Sequence, residues 1–183
     1  MHKNSGFSLI ELLVAMAIIA IVISIGLPSL LNYRQKANLG KAAREIYGGL
    51  QRAKIEAARN NRFCVFRFGE ETVGTQTYGF VVFLDNDADY EYDDGVDDFV
   101  KGYKPDNYPG AFLDTTFGGG DGMTFPDIDG EPTIAFAPDG LPKNLDGSLS
   151  SGIIRFNDGG ENGRQISVSL VGNVQISQYE VNP

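Results

Sequence analysis

Eight carboxylates fall within residues 85–98, a stretch that contains no Lys or Arg. Acids at alternating positions bring several oxygens together when the chain turns tightly, and hard cations such as calcium prefer oxygen ligands. The EF-hand pattern is nevertheless broken, because Tyr90 stands where glycine is required and Val96 stands where a bidentate glutamate belongs. We therefore predict a solvated acidic loop, with calcium binding as the alternative. The candidate calcium ligands are Asp85, Asp87, Asp89 and either Asp93 or Asp94.

Few residues in the chain are suited to nucleophilic or acid-base catalysis. The only histidine is His2 and the only cysteine is Cys64. The chain therefore has no internal disulfide and lacks the ligands for a zinc cluster. Cys64 lies in a strand-like pattern and is predicted to be a small core side chain rather than a nucleophile. We predict that the chain is not an enzyme and that it needs no cofactor.

The longest apolar run begins at Phe7 and ends at Leu31, with Glu11 as its single charged residue. As a helix, this run would extend about 37 Å, which is enough to cross a hydrocarbon core of about 30 Å. A carboxylate inside a membrane costs a few kcal/mol and usually has a partner. Snorkelling of Glu11 at the membrane surface is the alternative explanation. Gly26 and Pro28 would loosen the helix near its end, or Pro28 would mark the exit from the membrane.

The start of the chain resembles the class III signal of type IV pilins and type II secretion pseudopilins. The matching residues are Gly6-Phe7-Ser8-Leu9-Ile10-Glu11, followed by the apolar run. The resemblance implies a leader, residues 1–6, that prepilin peptidase removes between Gly6 and Phe7. It also implies N-methylation of Phe7, a role for Glu11 in filament assembly, and a helix-loosening role for Pro28. His2 would then be absent from the mature protein.

Physical chemistry agrees with this resemblance. A cationic amine on Phe7 and the carboxylate of Glu11 are both costly in lipid, so pairing between neighbouring subunits would stabilise both and set the register of the subunits. A secretory signal peptide in residues 1–28 is the weaker alternative. Its apolar region would be too long, and no small-residue cleavage site follows it cleanly.

Residues 32–60 continue the helix as an amphipathic segment. Apolar residues recur at spacings of three and four, which is typical of one buried helix face. We predict that this face carries a globular head, as in pilins; a free amphipathic helix on a membrane surface is the alternative. The helix is expected to stop at Asn60-Asn61. The predicted buried face consists of Leu39, Ala43, Ile46, Leu50, Ala53 and Ala57.

From residue 62 to 183 the pattern changes to short strands rich in aromatic and β-branched residues. The predicted fold class is α+β: a long N-terminal helix, with a transmembrane half (7–31) and an amphipathic half (32–60), packed on a C-terminal antiparallel β-sandwich head. Gly172-Asn173 predicts a two-residue hairpin turn, and residues 104–132 and 138–151 are predicted loops. The predicted strands are 62–68, 78–84, 133–137, 152–156, 164–171 and 174–177.

The order of these elements resembles GspH/FimT-like minor pseudopilins and minor type IV pilins. One departure is Asn173, where members of that group often have arginine after the glycine of the last hairpin. Charge is distributed unevenly, with ten Lys or Arg against three Glu in residues 1–67 and five against twenty-one acids in residues 68–183. An acidic head disfavours nucleic-acid binding.

The resemblance implies a minor pseudopilin that primes or caps a type II secretion pseudopilus and supports protein secretion. Its implied partners are other pilins or pseudopilins, prepilin peptidase and an inner-membrane assembly platform. The implied location is the inner membrane, crossed once, with the head in the periplasm and later in the filament. Lys3 alone precedes the span while several basic residues follow it, so the positive-inside rule alone favours a cytoplasmic head.

Three alternatives remain open from the sequence. The first is a FimT-like minor type IV pilin in pilus biogenesis, adhesion or DNA uptake. The second is a head that binds calcium or another ligand through the acidic loop, and the third is an unrelated membrane-anchored enzyme.

Overall fold

The structure is a computed structural model that describes residues 9–181 of the 183-residue chain. A single α-helix, α1, runs from Leu9 to Asn60. The chain divides into two compact units, Met1–Gln35 and Lys36–Pro183, which we describe separately.

The first unit contains the apolar part of α1. The large apolar side chains of this part are exposed, from Leu9 at 81% to Leu31 at 57%. Among the described residues, α1 is the one helix that is long and apolar enough to cross a membrane. Exposed apolar surface on this scale marks contact with lipid or with other protein.

In the second unit, one face of α1 is buried. All six side chains of the predicted stripe, from Leu39 to Ala57, are at most 3% exposed, whereas Lys41, Arg44 and Arg52 point to solvent. At Gly49 the helix packs closely on the sheet, since an added Cβ would stand 2.6 Å from the Phe66 ring. The amphipathic pattern therefore identified the packed face correctly.

Two antiparallel sheets form the rest of the second unit. The first has the order β3-β2-β1-β6-β5, with β7 paired to β6, and the second has the order β10-β9-β8-β4. A 3-10 turn, Pro105–Asn107, follows β3. The strands are β1 (Cys64–Val73), β2 (Gln76–Leu84), β3 (Asp98–Tyr103), β4 (Phe112–Leu113), β5 (Asp127–Ile128), β6 (Glu131–Phe136), β7 (Pro142–Lys143), β8 (Gly152–Asn157), β9 (Asn162–Val168) and β10 (Val174–Glu180).

The helix and the inner faces of both sheets share one hydrophobic core. Alternating residues of β1, such as Phe66 and Phe68, meet Ile154 and Ile166 of the second sheet and Leu50 of the helix in this core. Alternation of this kind is the consequence of the period-2 geometry of a strand. The predicted α+β class, a long helix with an antiparallel β-rich head, is confirmed.

The outer face of the first sheet carries a second, smaller core. Val65, Val81, Phe83 and Ala135 form it together with Tyr90, which belongs to the acidic loop. Both faces of the first sheet are therefore covered, which explains why its central strands are almost continuously apolar.

Three details differ from the sequence prediction. Strand β3 was not predicted; its first residue, Asp98, is the last residue of the predicted acidic loop 85–98. The predicted loops also contain the short strands β4, β5 and β7.

The last hairpin has a five-residue connection instead of the predicted two-residue turn, since β9 and β10 stop pairing at Val168 and Val174. The Ser169 carbonyl accepts the Gly172 N–H and the Ser169 hydroxyl accepts the Asn173 N–H, which closes a wider turn. Leu170, which the alternation within the predicted strand 164–171 places on the same face as Ile166 and Val168, is consequently 49% exposed, whereas those two are buried.

Candidate functional site

Glu11 lies near the start of the described part of α1, and its side chain is exposed. Its carboxylate stands among apolar side chains, including Ile10, Val14 and Ile18. The predicted assembly carboxylate therefore lies on the exposed apolar surface of the helix.

Gly6 and Phe7, the predicted cleavage and methylation residues, lie outside the described residues. The helix is continuous through Gly26 and Pro28. The cleavage, methylation, assembly and helix-loosening roles all stay predictions.

The acidic loop brings three of the candidate calcium ligands together. Asp85, Asp87 and Asp89 each offer a carboxylate oxygen, and the three oxygens lie within 4.8 Å of one another. Asp93 and Asp94 are exposed and lie outside this group.

Asp85 has a structural function in this loop. Its carboxylate accepts the backbone N–H groups of Ala88 at 2.7 Å and of Asp87 and Tyr90 at 3.2 Å. Burial raises the pKa of the Asp85 carboxyl, and these hydrogen bonds oppose the increase only in part. Ala88 and Tyr90 both have positive φ, of 67° and 65°. The loop is therefore a tight turn built around one buried carboxylate.

Asp97 is a second buried carboxylate, and the sequence did not distinguish it from its neighbours. It accepts the backbone N–H groups of Asn86 and Asp93, each at 2.9 Å. Burial raises its pKa, and the nearby acids of the loop contribute to the increase. Asp97 thus ties the two ends of the acidic segment together.

Two tyrosines anchor the loop to the sheet. The ring centroids of Tyr90 and Phe63 are 5.5 Å apart, and those of Tyr92 and Phe83 are 5.4 Å apart. Aromatic residues inside an acidic segment were the signal that the segment packs against the protein. The loop can offer carboxylate oxygens to a hard cation. Its two buried carboxylates, Asp85 and Asp97, also accept backbone hydrogen bonds that hold the loop together without a cation.

Cys64 is fully buried in the main core. Burial, with a contribution from Glu56, raises the pKa of its thiol to about 12. Since the thiolate is the reactive form, Cys64 is unreactive in the folded protein at neutral pH. Its predicted place in the core is confirmed.

Comparison with known proteins identifies the class. Residues 42–172 match the family described as type II transport protein GspH, and residues 1–27 match the prokaryotic N-terminal methylation motif. A similar relative is the pilin-like protein PilA1 of Thermus thermophilus, 31% identical over 109 residues. The aligned region covers 60% of this chain and 66% of that relative. None of the solved structures matches the chain.

The chain belongs to the GspH family of pilin-like proteins and begins with a prepilin-type methylation motif. The family consists of structural pilin and pseudopilin subunits. The predicted resemblance is thereby confirmed, and the exposed apolar part of α1 fits membrane anchoring of a prepilin-type protein.

Proposed function

We propose that the chain is a minor pseudopilin that primes or caps a type II secretion pseudopilus and so supports protein secretion. The observation that carries the proposal is a GspH-type head joined to an apolar helix whose large apolar side chains, such as Leu9, Ile19 and Leu31, are exposed. In water such a surface would be unfavourable at about 25 cal/mol per Å², so lipid or neighbouring subunits must cover it.

In this proposal the precursor crosses the inner membrane once, with its head in the periplasm. Prepilin peptidase removes residues 1–6 and the new amine of Phe7 is methylated. The inner-membrane platform then moves the subunit into a filament with other pseudopilins. The helix supplies the shared contact, and the head supplies the surface that distinguishes this subunit.

A minor type IV pilin is the second candidate. It is supported by the relative whose name is pilin-like protein PilA1. DNA uptake is the least favoured role of such a pilin, because residues 68–183 carry five basic residues against twenty-one acidic ones. Genes adjacent to this one that encode a secretion apparatus or a pilus apparatus would separate the two candidates.

The first test is the N-terminal mass of the protein isolated from membranes of a host that has prepilin peptidase. We expect a chain that starts at N-methyl-Phe7. The variant Gly6→Ala should remain an uncleaved precursor, because the peptidase cuts after glycine. Its matched control, Ser5→Ala, should be cleaved normally. A wild-type chain that starts at Met1, or that is cut beyond Pro28, would refute the pilin-like pathway.

Calcium binding by the acidic loop is a separate proposal about the head. Its support is the proximity of three carboxylate oxygens on Asp85, Asp87 and Asp89. With a Kd of about 1 mM, calcium at about 10 mM would stabilise the head by about 1.4 kcal/mol, which is about 4 °C in melting temperature.

The corresponding measurement is the melting temperature of the full chain in detergent, with calcium and with chelator. Asp87→Asn should abolish the calcium shift, whereas Asp129→Asn should keep it. Asp129 is an exposed carboxylate with a positive φ of 50°, a conformation that Asn tolerates. A melting temperature that is the same with calcium and with chelator would assign the loop a purely structural role.

A further inference from the structure

The head contains an open cleft of about 930 Å³. One wall is formed by residues at the turn end of the β1–β2 hairpin, between Phe68 on β1 and Phe80 on β2. The other wall is the segment from Leu113 to Met123. All of its lining residues belong to the second unit. A concave site of this volume is in the range that binds ligands or peptide side chains.

The cleft has an apolar floor and an acidic rim. Phe68, Phe80 and Met123 are buried at its base and belong to the main core. Its rim carries one ammonium group, which is already engaged: Lys104 Nζ donates to Gln76 Oε1 at 2.7 Å and lies 5.4 Å from the Tyr78 ring centroid. The rim carboxylates are Glu70, Asp106, Asp121 and Glu131. Charge complementarity therefore favours a cationic occupant.

An open sheet edge borders the same cleft. Within the described residues, β6 begins at Glu131, which lies opposite Gly69 when its register with β1 is continued, so residues 70–73 extend beyond the end of β6 and have no strand paired to them on that side. Glu70, the first residue of this stretch, lines the cleft beside Gly69 and Glu131. Unpaired backbone N–H and C=O groups at a sheet edge are a template for another strand.

The opposite wall is held in place by hydrogen bonds. Asp114 is buried; its carboxylate accepts the Thr116 hydroxyl at 2.6 Å and the Tyr179 hydroxyl at 2.7 Å. Burial acts to raise the pKa of Asp114, but these hydrogen bonds outweigh burial and the pKa is lowered. The Arg155 carbonyl accepts the Asp114 N–H, which fixes the wall to β8. The cleft is thus formed before any occupant arrives, which reduces the entropic cost of binding.

We propose that this cleft binds an extended polypeptide segment that carries Lys or Arg at alternating positions. The segment pairs with the open edge of β1, places its cations against Glu70 and Glu131, and rests apolar atoms on the floor. This is a binding activity of the head itself, so it does not depend on whether the filament belongs to a secretion system or a pilus.

The test uses the full chain in detergent micelles and two fluorescent octapeptides. One alternates Lys with Thr and can form a strand; the other is its counterpart with a methyl group on every backbone nitrogen, so it has equal charge but no backbone N–H to donate to a sheet edge. We expect the Lys-Thr peptide to bind on the order of tenfold more tightly at low salt. Binding should weaken as salt is raised, because the rim charges are solvent-accessible.

Two double variants locate the binding site. Glu70→Gln with Glu131→Gln removes two carboxylates from the rim and should weaken binding of the Lys-Thr peptide on the order of tenfold. Glu161→Gln with Glu180→Gln removes the same charge from exposed positions outside the cleft and should change binding less than twofold. Thr77→Arg places a competing cation on an exposed lining position and should also weaken binding.

Three results would overturn the proposal. Equal affinity for the two peptides would exclude strand pairing. An equal loss of affinity for the Lys-Thr peptide in the two double variants would show that the peptide is attracted non-specifically to an acidic protein. Binding of neutral cellohexaose with no binding of the Lys-Thr peptide would make the cleft a glycan site. Unchanged melting temperatures of the variants would establish that losses of binding do not reflect unfolding.

Discussion

Glu11→Ala is expected to yield a protein that inserts into the membrane and is cleaved, but enters the filament on the order of a hundredfold less, or worse. Breaking a buried ion pair by removing one partner costs about 3–5 kcal/mol, and each 1.4 kcal/mol is a factor of ten. The pairing proposed here joins the carboxylate of Glu11 to the Phe7 amine of a neighbouring subunit. The measurement is the ratio of filament-bound to membrane-bound protein in a host with the assembly machinery.

Two further variants show whether charge at this position is the cause. Glu11→Asp keeps the carboxylate and should recover part of the incorporation. Glu56→Ala removes a carboxylate from the same helix, where its pairs with Arg52 and Arg59 are long, at 3.9 Å. Such pairs contribute about 0.5 kcal/mol or less, so incorporation should stay near the wild-type value. Wild-type incorporation of Glu11→Ala would remove its assembly role.

Gly118→Ala is expected to destabilise the head by about 3 kcal/mol or more and lower its melting temperature by about 10 °C. Gly118 has a φ of 65°, and an added Cβ would collide with the backbone of Met123. Because this backbone forms a wall of the cleft, the variant should also lose peptide binding. Thermal unfolding of the full chain in detergent measures the first effect.

The adjacent glycine is a matched control for backbone strain. Gly119 has a φ of 87°, but nothing lies within 4 Å of the position that its Cβ would occupy. Gly119→Ala should therefore cost only about 1–2 kcal/mol, the penalty of a left-handed conformation. An equal decrease in the free energy of unfolding of the two variants would mean that backbone strain, and not the collision with Met123, determines the stability of this segment.

The helix was predictable because local pattern and packing demand the same structure. The stripe from Leu39 to Ala57 has helical spacing, and each of its members reached the core. Strands with apolar inner residues, such as β1, β2 and β6, were predictable for the same reason. The hairpin turn was not, because Ser169 accepts the Gly172 N–H with its carbonyl and the Asn173 N–H with its hydroxyl, and these bonds replaced the expected turn geometry.

The site was only partly predictable. Glu11 is conspicuous as one charge in an apolar run, and Asp85, Asp87 and Asp89 are conspicuous by their alternation. No local pattern distinguishes Asp97 from the acids around it, whereas Tyr90, an aromatic residue inside the acidic segment, was a signal of packing against the sheet. The cleft depends on where β6 stops pairing with β1, which is a property of register rather than of composition.

The burial of Cys64 has a practical consequence. The folded chain exposes no thiol of its own, since its single cysteine is fully buried and its thiol pKa is raised to about 12. A cysteine introduced at an exposed position, such as Thr77 on the cleft or Ile10 on the helix, would be the one site open to a maleimide probe. Cross-links and fluorescent labels can then map the neighbours of each surface in intact filaments without altering the core.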